Sequence, residues 1–165
     1  MIFRYALLED LPVIVSIYNS TIAGRRVTAD TEPVSVADRL EWFHEHTPHR
    51  RPLWMVENDN GETLGWISLQ DFYGRPAYDG TAEISIYLHE NHRGKGYGKT
   101  LMEFAIEQCH SLQIHTLLGF IFEQNTESLK LFSRCGFNEW AHLPHIAVLD
   151  NTPCSLKILG LKVNQ

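Results

Sequence analysis

Arg93-Gly94-Lys95-Gly96-Tyr97-Gly98 lies between the apolar run Ile84-Ser85-Ile86-Tyr87-Leu88 and the helical pattern Leu101-Met102-Glu103-Phe104-Ala105-Ile106. It therefore reads as the junction from a strand to a helix. Glycines at 94, 96 and 98 leave backbone N–H groups uncovered, at the end of a helix where the peptide dipole is most positive. Arg93, Lys95 and Lys99 add positive charge to the same short stretch. The combination predicts a seat for a pyrophosphate, hence a phosphorylated ligand. The simpler alternative is a tight glycine turn that lets a helix pack closely on a sheet.

The spacing weakens two familiar nucleotide readings. A dinucleotide fingerprint needs Gly-x-Gly-x-x-Gly near the start of a doubly wound sheet, with an acid about 20 residues on. Here the glycines follow Gly-x-Gly-x-Gly and the preceding strands read as a hairpin sheet. A P-loop is disfavoured because Gly94 and Gly98 stand four apart instead of five, although Lys99 follows the last glycine, and no later metal-binding acid is clear.

With 165 residues the chain is expected to be one domain, 1–165, with a core of its own. Its 44% hydrophobic and 21% charged composition is that of a globular protein. A net charge of −6 argues against nucleic acid as the main partner, since phosphate backbones ask for a basic face rather than one basic loop. Cys109, Cys135 and Cys154 are odd in number and widely spaced, which predicts reduced thiols in a cytoplasm. Met1-Ile2-Phe3-Arg4-Tyr5-Ala6 does not read as a secretion leader, and no apolar run reaches the roughly 18 residues of a membrane span.

Outward from the glycine stretch, Ile2 to Tyr5 predicts a strand, and a helix capped by Asp10 runs to about Gly24. A second helix starts at Ser35. Strands are expected at 53–56, 64–69 and 82–88, the first two joined by the turn Asn58-Asp59-Asn60-Gly61. A helix reaches about Leu112 with Leu101, Ala105, Cys109 and Leu112 on one stripe. Thr116 to Phe122 is almost wholly apolar and predicts a central strand covered on both faces. Asn125 caps a short helix that Gly136 ends, and closing strands are expected at 146–149 and 155–163. The order is β-α-α-β-β-β-α-β-α-β-β, an α/β (α+β) class with one mixed sheet.

These motifs resemble those of the GNAT N-acetyltransferases. Arg93, Gly96 and Gly98 meet that family's acetyl-CoA loop pattern, Arg/Gln-x-x-Gly-x-Gly/Ala. A second family element matches Asn125-Thr126-Glu127-Ser128-Leu129-Lys130-Leu131-Phe132 followed by Gly136-Phe137. Tyr78-Asp79-Gly80-Thr81-Ala82-Glu83 and Thr31-Glu32-Pro33 look like the phosphinothricin acetyltransferase branch, so the resemblance covers about residues 1–161. It implies the acyl-CoA N-acyltransferase fold: a mixed, mostly antiparallel sheet splayed at its fourth and fifth strands, with helices on both faces. It also implies acetyl-CoA as cosubstrate, no metal, and a homodimer.

The resemblance further implies roles. Tyr87, Leu88 and His89 border the pantetheine arm; the segment Arg93, Gly94, Lys95, Gly96, Tyr97, Gly98, Lys99 and Thr100 holds the pyrophosphate, through main-chain amides from Lys95 on. Asn125 is read both as a cap and as a pantetheine partner. Acetylating an amine needs a neutral nitrogen, so a carboxylate must take a proton directly or through water. Glu83, at the acid position of the branch motif on a mostly apolar strand, is the candidate; a strand-end carboxylate bonded to Thr81 or to a base is the structural alternative. On the substrate side, Tyr73, Arg75 and Tyr78 form an aromatic loop whose arginine suits a carboxylate, or else a solvated surface. Thr28 and Glu32 belong to an earlier loop bordering the acceptor, where Glu32 equally suits a helix cap.

Phe132 stands where many family members carry tyrosine, so no phenol is present there to protonate a leaving thiolate. The closing segment from Asp150 to Ser155 lacks the tryptophan often found near there in the herbicide-detoxifying enzymes. Cys135 reads as core rather than nucleophile, which predicts direct transfer. His44, His46 and His49 beside Glu45 do not form an HExxH motif and read as a solvated helix end. Two other functions are compatible with the motifs: a CoA-binding sensor without turnover, and a protein N-acetyltransferase.

Overall fold

The computed structural model describes residues 1–163. Its elements are β1 (Ile2–Tyr5), α1 (Leu11–Asn19), α2 (Leu40–His44), β2 (Leu53–Glu57), β3 (Thr63–Asp71), β4 (Thr81–Leu88), α3 (Tyr97–Gln108), β5 (Thr116–Phe122), α4 (Thr126–Arg134), β6 (Asn138–Leu149) and β7 (Thr152–Lys162). Among the described residues the strands form one seven-stranded sheet, in the order β1-β2-β3-β4-β5-β7-β6.

Strand alternation sends each strand's side chains to two helical layers. On one face, Leu53, Met55 and Trp66 pack with Leu11, Ile14, Val15 and Ile17 of α1. On the other, Trp54, Val56, Ile67 and Leu69 meet Leu101, Met102 and Ala105 of α3 and Cys109 at its C-terminal end. Full burial of each large apolar side chain contributes about 1.5–3 kcal/mol, so neither layer is dispensable. The central placement of β5 follows from its apolar sequence: it pairs with β4 on one side and β7 on the other.

The splay between the fourth and fifth strands is present. β4 and β5 are parallel and pair at Thr81–Thr116, Ala82–Leu117 and Glu83–Leu118. Beyond Glu83, β4 continues to Leu88 on β3, while β5 continues to Phe122 on β7. The strands part at Glu83.

Several boundaries differ from expectation. Asp10 does not cap α1, because its carboxylate binds the Arg4 guanidinium (2.8 and 2.9 Å) and the Leu7 N–H (2.7 Å). α1 ends at Asn19, five residues before Gly24, and buried Thr21 and Ile22 lie in the turn that follows. Ser35 does start the second helical segment, exchanging hydrogen bonds with Asp38 at 3.1 and 2.8 Å, but the first turn, Ala37–Arg39, is 3-10. β6 begins at Asn138 rather than Ile146. It is an edge strand exposed along most of its length and irregular between Leu143 and Ala147, so it lacks a clean alternation.

Candidate active site

The glycine stretch has the geometry of an anion seat. Gly94 (φ +71°) and Gly96 (φ +83°) are left-handed, and a Cβ at either would meet no protein atom within 4 Å. Gly96 is the N-cap of α3 and provides no side chain to cap it. The first N–H groups of α3 therefore have no intrahelical partner. Gly98 has a different reason: a Cβ there would lie 2.9 Å from Leu131, so it allows α3 to pack against α4.

The flanking side chains divide unevenly. Lys95 and Lys99 are exposed, Lys99 pairing with Glu103 at 3.5 Å. Arg93 is engaged within the protein: Nε donates to Leu88 O (3.0 Å) and Nη2 to Ser20 Oγ (2.6 Å), tying the loop to the end of α1. Tyr87 and Leu88 end the splayed strand, and His89 follows, its N–H bonded to Leu64 O at 2.8 Å. Across the opening, Asn125 Oδ1 accepts from Ser128 N–H at 3.2 Å, so the capping role is present. Its Nδ2 has no partner among the described residues.

Glu83 lies where a cleft opens between the sheet and the α1/α2 layer. The walls are Ile14, Val15 and Tyr18 of α1, Arg39 and Trp42 at α2, Trp66, Ser68 and Gln70 of β3, and Glu83, Ser85 and Tyr87 of β4. Strand register builds the floor from three facing pairs, Trp66–Tyr87, Ser68–Ser85 and Gln70–Glu83. The Trp66 and Tyr87 rings stack at 4.5 Å, and Trp42 meets Trp66 edge-on at 5.6 Å. Trp66 Nε1 donates to Ile14 O at 3.2 Å, fixing α1 over the sheet.

Burial pushes the Glu83 carboxyl above the usual carboxylate range. Neither Thr81 nor any base pairs with it among the described residues. Ser68 Oγ beside it is also buried without a hydrogen-bond partner. Buried polar groups in native proteins are nearly always satisfied, so this floor is built to meet a ligand or water.

The earlier loop enters indirectly. Thr28 is buried and bonds the Tyr18 hydroxyl, which also donates to Asp30. Glu32 is exposed, and the cap of the second helix is Ser35 instead. Tyr73, Arg75 and Tyr78 do not line the cleft that holds Glu83. The two tyrosines cluster with Phe72 at 4.6 and 5.4 Å, Tyr73 is 76% exposed, and Arg75 is exposed. Their loop is held elsewhere by Arg50, bonded to Asp71 (2.7 Å) and Asp79 (3.1 Å), and by Arg51 Nη2, bonded to Asp79 O (2.8 Å).

Sequence reasoning thus missed Tyr18, Arg39, Trp42, Trp66, Ser68, Gln70 and Ser85. The available signal was alternation: Trp66-x-Ser68-x-Gln70 and Glu83-x-Ser85-x-Tyr87 place polar groups on one face of two otherwise apolar strands. Among the thiols, burial pushes Cys109 up to about 12 and raises Cys135, which disfavours the nucleophilic thiolate.

Comparison with known proteins places likenesses beside this geometry. The Acetyltransferase (GNAT) family matches residues 14–137. The chain is 51% identical to the candidate phosphinothricin acetyltransferase YwnH of Bacillus subtilis, over 99% of this chain and 100% of that protein. It is 31% identical to an L-methionine sulfoximine/L-methionine sulfone acetyltransferase of Pseudomonas aeruginosa, covering 87% of this chain and 83% of the relative. The structure of yncA from Salmonella typhimurium with its cofactor acetyl-CoA superimposes with a TM-score of 0.91 at 27% identity, covering 100% of this chain and 95% of that one.

Proposed function

This chain belongs to the GNAT acetyltransferase family and is an acetyl-CoA-dependent enzyme; on that premise we propose that its acceptor is the amino group of a small, amino-acid-like molecule. The observation that carries the reading is Glu83: a half-buried carboxyl without a partner among the described residues, in an aromatic cleft at the point where β4 and β5 part. The cleft encloses about 170 Å³. That is below the roughly 300 Å³ at which drug-sized pockets begin, and favours a small acceptor over an extended peptide.

The residues fit the cosubstrate. Left-handed Gly94 and Gly96 and the uncapped start of α3, with Lys95 and Lys99 beside them, suit the pyrophosphate. The parted strands leave main-chain groups for a pantetheine arm, bordered by Tyr87, Leu88 and His89, with the Asn125 amide nitrogen opposite. Acetyl-CoA supplies an activated thioester whose acetyl group passes to the amine nitrogen as CoA leaves as the thiol.

Glu83 takes the ammonium proton, directly or through a water held by Ser68 and Ser85, and so presents a neutral nitrogen. Its raised pKa brings the base closer to that of the group it must deprotonate. Phe132 offers no hydroxyl, and its ring packs against Phe137 at 4.8 Å, so the departing sulfur takes its proton from water or another group. No thiol takes part. The reading also places the protein in a reducing cytoplasm, supported by three free cysteines, and as a pair of copies, for which exposed Trp140, Ile146 and Val148 on edge strand β6 offer a surface.

The test is a panel of phosphinothricin, L-methionine sulfoximine, L-methionine sulfone, free amino acids and peptides with acetyl-CoA, read by thiol release. A preference for the small amino-acid-like amines is expected. Turnover confined to peptides would overturn the substrate reading.

A further inference from the structure

Taking the cleft as the acceptor site, we infer that Arg39, rather than the arginine of the β3–β4 loop, is the anchor for the acceptor's carboxylate and selects α-amino acids over simple amines. Its guanidinium is the single cation among the described residues lining the cleft, and Glu83 is the single anion. An α-amino acid carries the complementary pair: a cationic nitrogen for Glu83 and an anionic carboxylate for Arg39. A simple amine offers a cation to both, with nothing to meet the guanidinium.

Arg39 is held as a recognition group is held. One Nη donates to Asp30 Oδ2 at 3.0 Å. The guanidinium carbon sits 4.6 Å from the Tyr18 ring centre and 5.8 Å from that of Trp42. Asp30 in turn accepts from the Tyr18 hydroxyl, so ring, carboxylate and guanidinium form one braced unit. These contacts fix the plane of the fork while engaging one of its five N–H donors; the rest make no hydrogen bond to a described residue. A planar fork with free donors, set at the wall of a small cleft, matches the two oxygens of a carboxylate.

The other nearby arginines are already committed. Arg50 and Arg51 serve Asp71 and Asp79. Arg93 serves Leu88 O and Ser20. Arg75 lies on the exposed loop outside the cleft.

The experiment uses two probes that differ only at the carboxylate: L-methionine sulfone and its α-carboxamide. Each is titrated calorimetrically into the CoA-saturated protein and assayed for acetylation with acetyl-CoA, for the natural chain, Arg39→Gln and Arg39→Lys. Arg39→Gln is expected to weaken binding and raise KM for the acid by about tenfold or more, the size of one lost charge-assisted hydrogen bond, and to shift the carboxamide by less than about twofold. Arg39→Lys restores part of the loss, since it returns the charge without the fork. An equal change for both probes, or no change for the acid, overturns the inference. If Arg39→Gln fails to fold, judged by melting and acetyl-CoA affinity, Arg39→Lys and the natural chain's own preference decide, and no preference for the acid overturns it. Carboxylate-selective binding without turnover of either probe would instead overturn the proposed acceptor class and leave the role of Arg39 standing. Absence of binding by the natural chain removes both.

Discussion

Replacing Glu83 by glutamine keeps the shape of the side chain and removes the proposed proton acceptor. No second carboxylate lines the cleft among the described residues. The hydroxyls of Tyr18 and Tyr87 are poor substitutes, because burial raises both above the usual phenol range. General-base catalysis contributes about 10²–10⁴-fold, and with no replacement base at hand the loss should fall in the upper part, about 10³–10⁴ in kcat. That corresponds to about 4–5.5 kcal/mol of barrier. Acetyl-CoA affinity should hold, since the amides of the glycine stretch lie beyond the far end of β4 from Glu83. The assay is steady-state thiol release across pH, with calorimetry for acetyl-CoA and thermal unfolding alongside. Burial raises the Glu83 pKa, so kcat/KM of the natural chain should climb as pH rises through that raised value, and the variant should lose this limb. The stability effect has the opposite sign. A raised carboxyl favours the fold while protonated, fully so below its unfolded pKa, and this is lost as pH rises through the folded value. Glu83→Gln should therefore melt higher than the natural chain at neutral pH, and the gap should shrink in acid. A kcat within tenfold of the natural value would remove Glu83 from the mechanism.

Gly96→Ala should cost about 1 kcal/mol of stability from its left-handed φ, since the new Cβ touches no protein atom, yet weaken acetyl-CoA binding by about tenfold or more by intruding on the proposed phosphate seat. An unchanged Kd in calorimetry would exclude that seat. Gly119→Ala sets a Cβ 2.3 Å from the Phe132 ring and should destabilise by about 1–3 kcal/mol in urea unfolding. Adding Phe132→Leu should recover part of that loss, and strict additivity of the two changes would refute the contact. Arg51→Leu removes the bonds to Asp79 O and Thr81 O and the 2.7 Å ion pair with Asp71, which keeps Arg50 as a partner. A loss of about 2–3 kcal/mol in urea unfolding is expected, with a fall in kcat smaller than that of Glu83→Gln; a kcat loss equal to it would make Arg51 more than a brace for the strand carrying Glu83.

Much of the site was legible because it rests on local chemistry. Three glycines between a strand and a helix, and an asparagine opening a helix that ends in Gly-Phe, act through backbone geometry that neighbouring residues dictate. Glu83 stood out as an acid on an apolar strand. The length of β6 escaped because an exposed edge strand needs no alternation. The end of α1 escaped because Thr21 and Ile22 are buried by the turn after the helix, which imitates continued helical periodicity.

By itself the sequence determined the order of strands and helices and a phosphate-suited glycine stretch, since strand alternation, apolar β5 and the glycines each impose their structure over a few residues; the splayed fold and acetyl-CoA were what its resemblance to the GNAT N-acetyltransferases implied. The acceptor cleft was decided by tertiary structure alone. Arg39, Trp66 and Glu83 are far apart in the chain and meet only because β3 and β4 pair in one register and α1 and α2 close over that face. The aromatic loop of Tyr73, Arg75 and Tyr78, closer in sequence to Glu83 and richer in suggestive residues, is kept outside the cleft by the ion pairs of Arg50 and Arg51. Which arginine lines the cleft with Glu83 depends on long-range packing and charge pairing, and no local pattern encodes either.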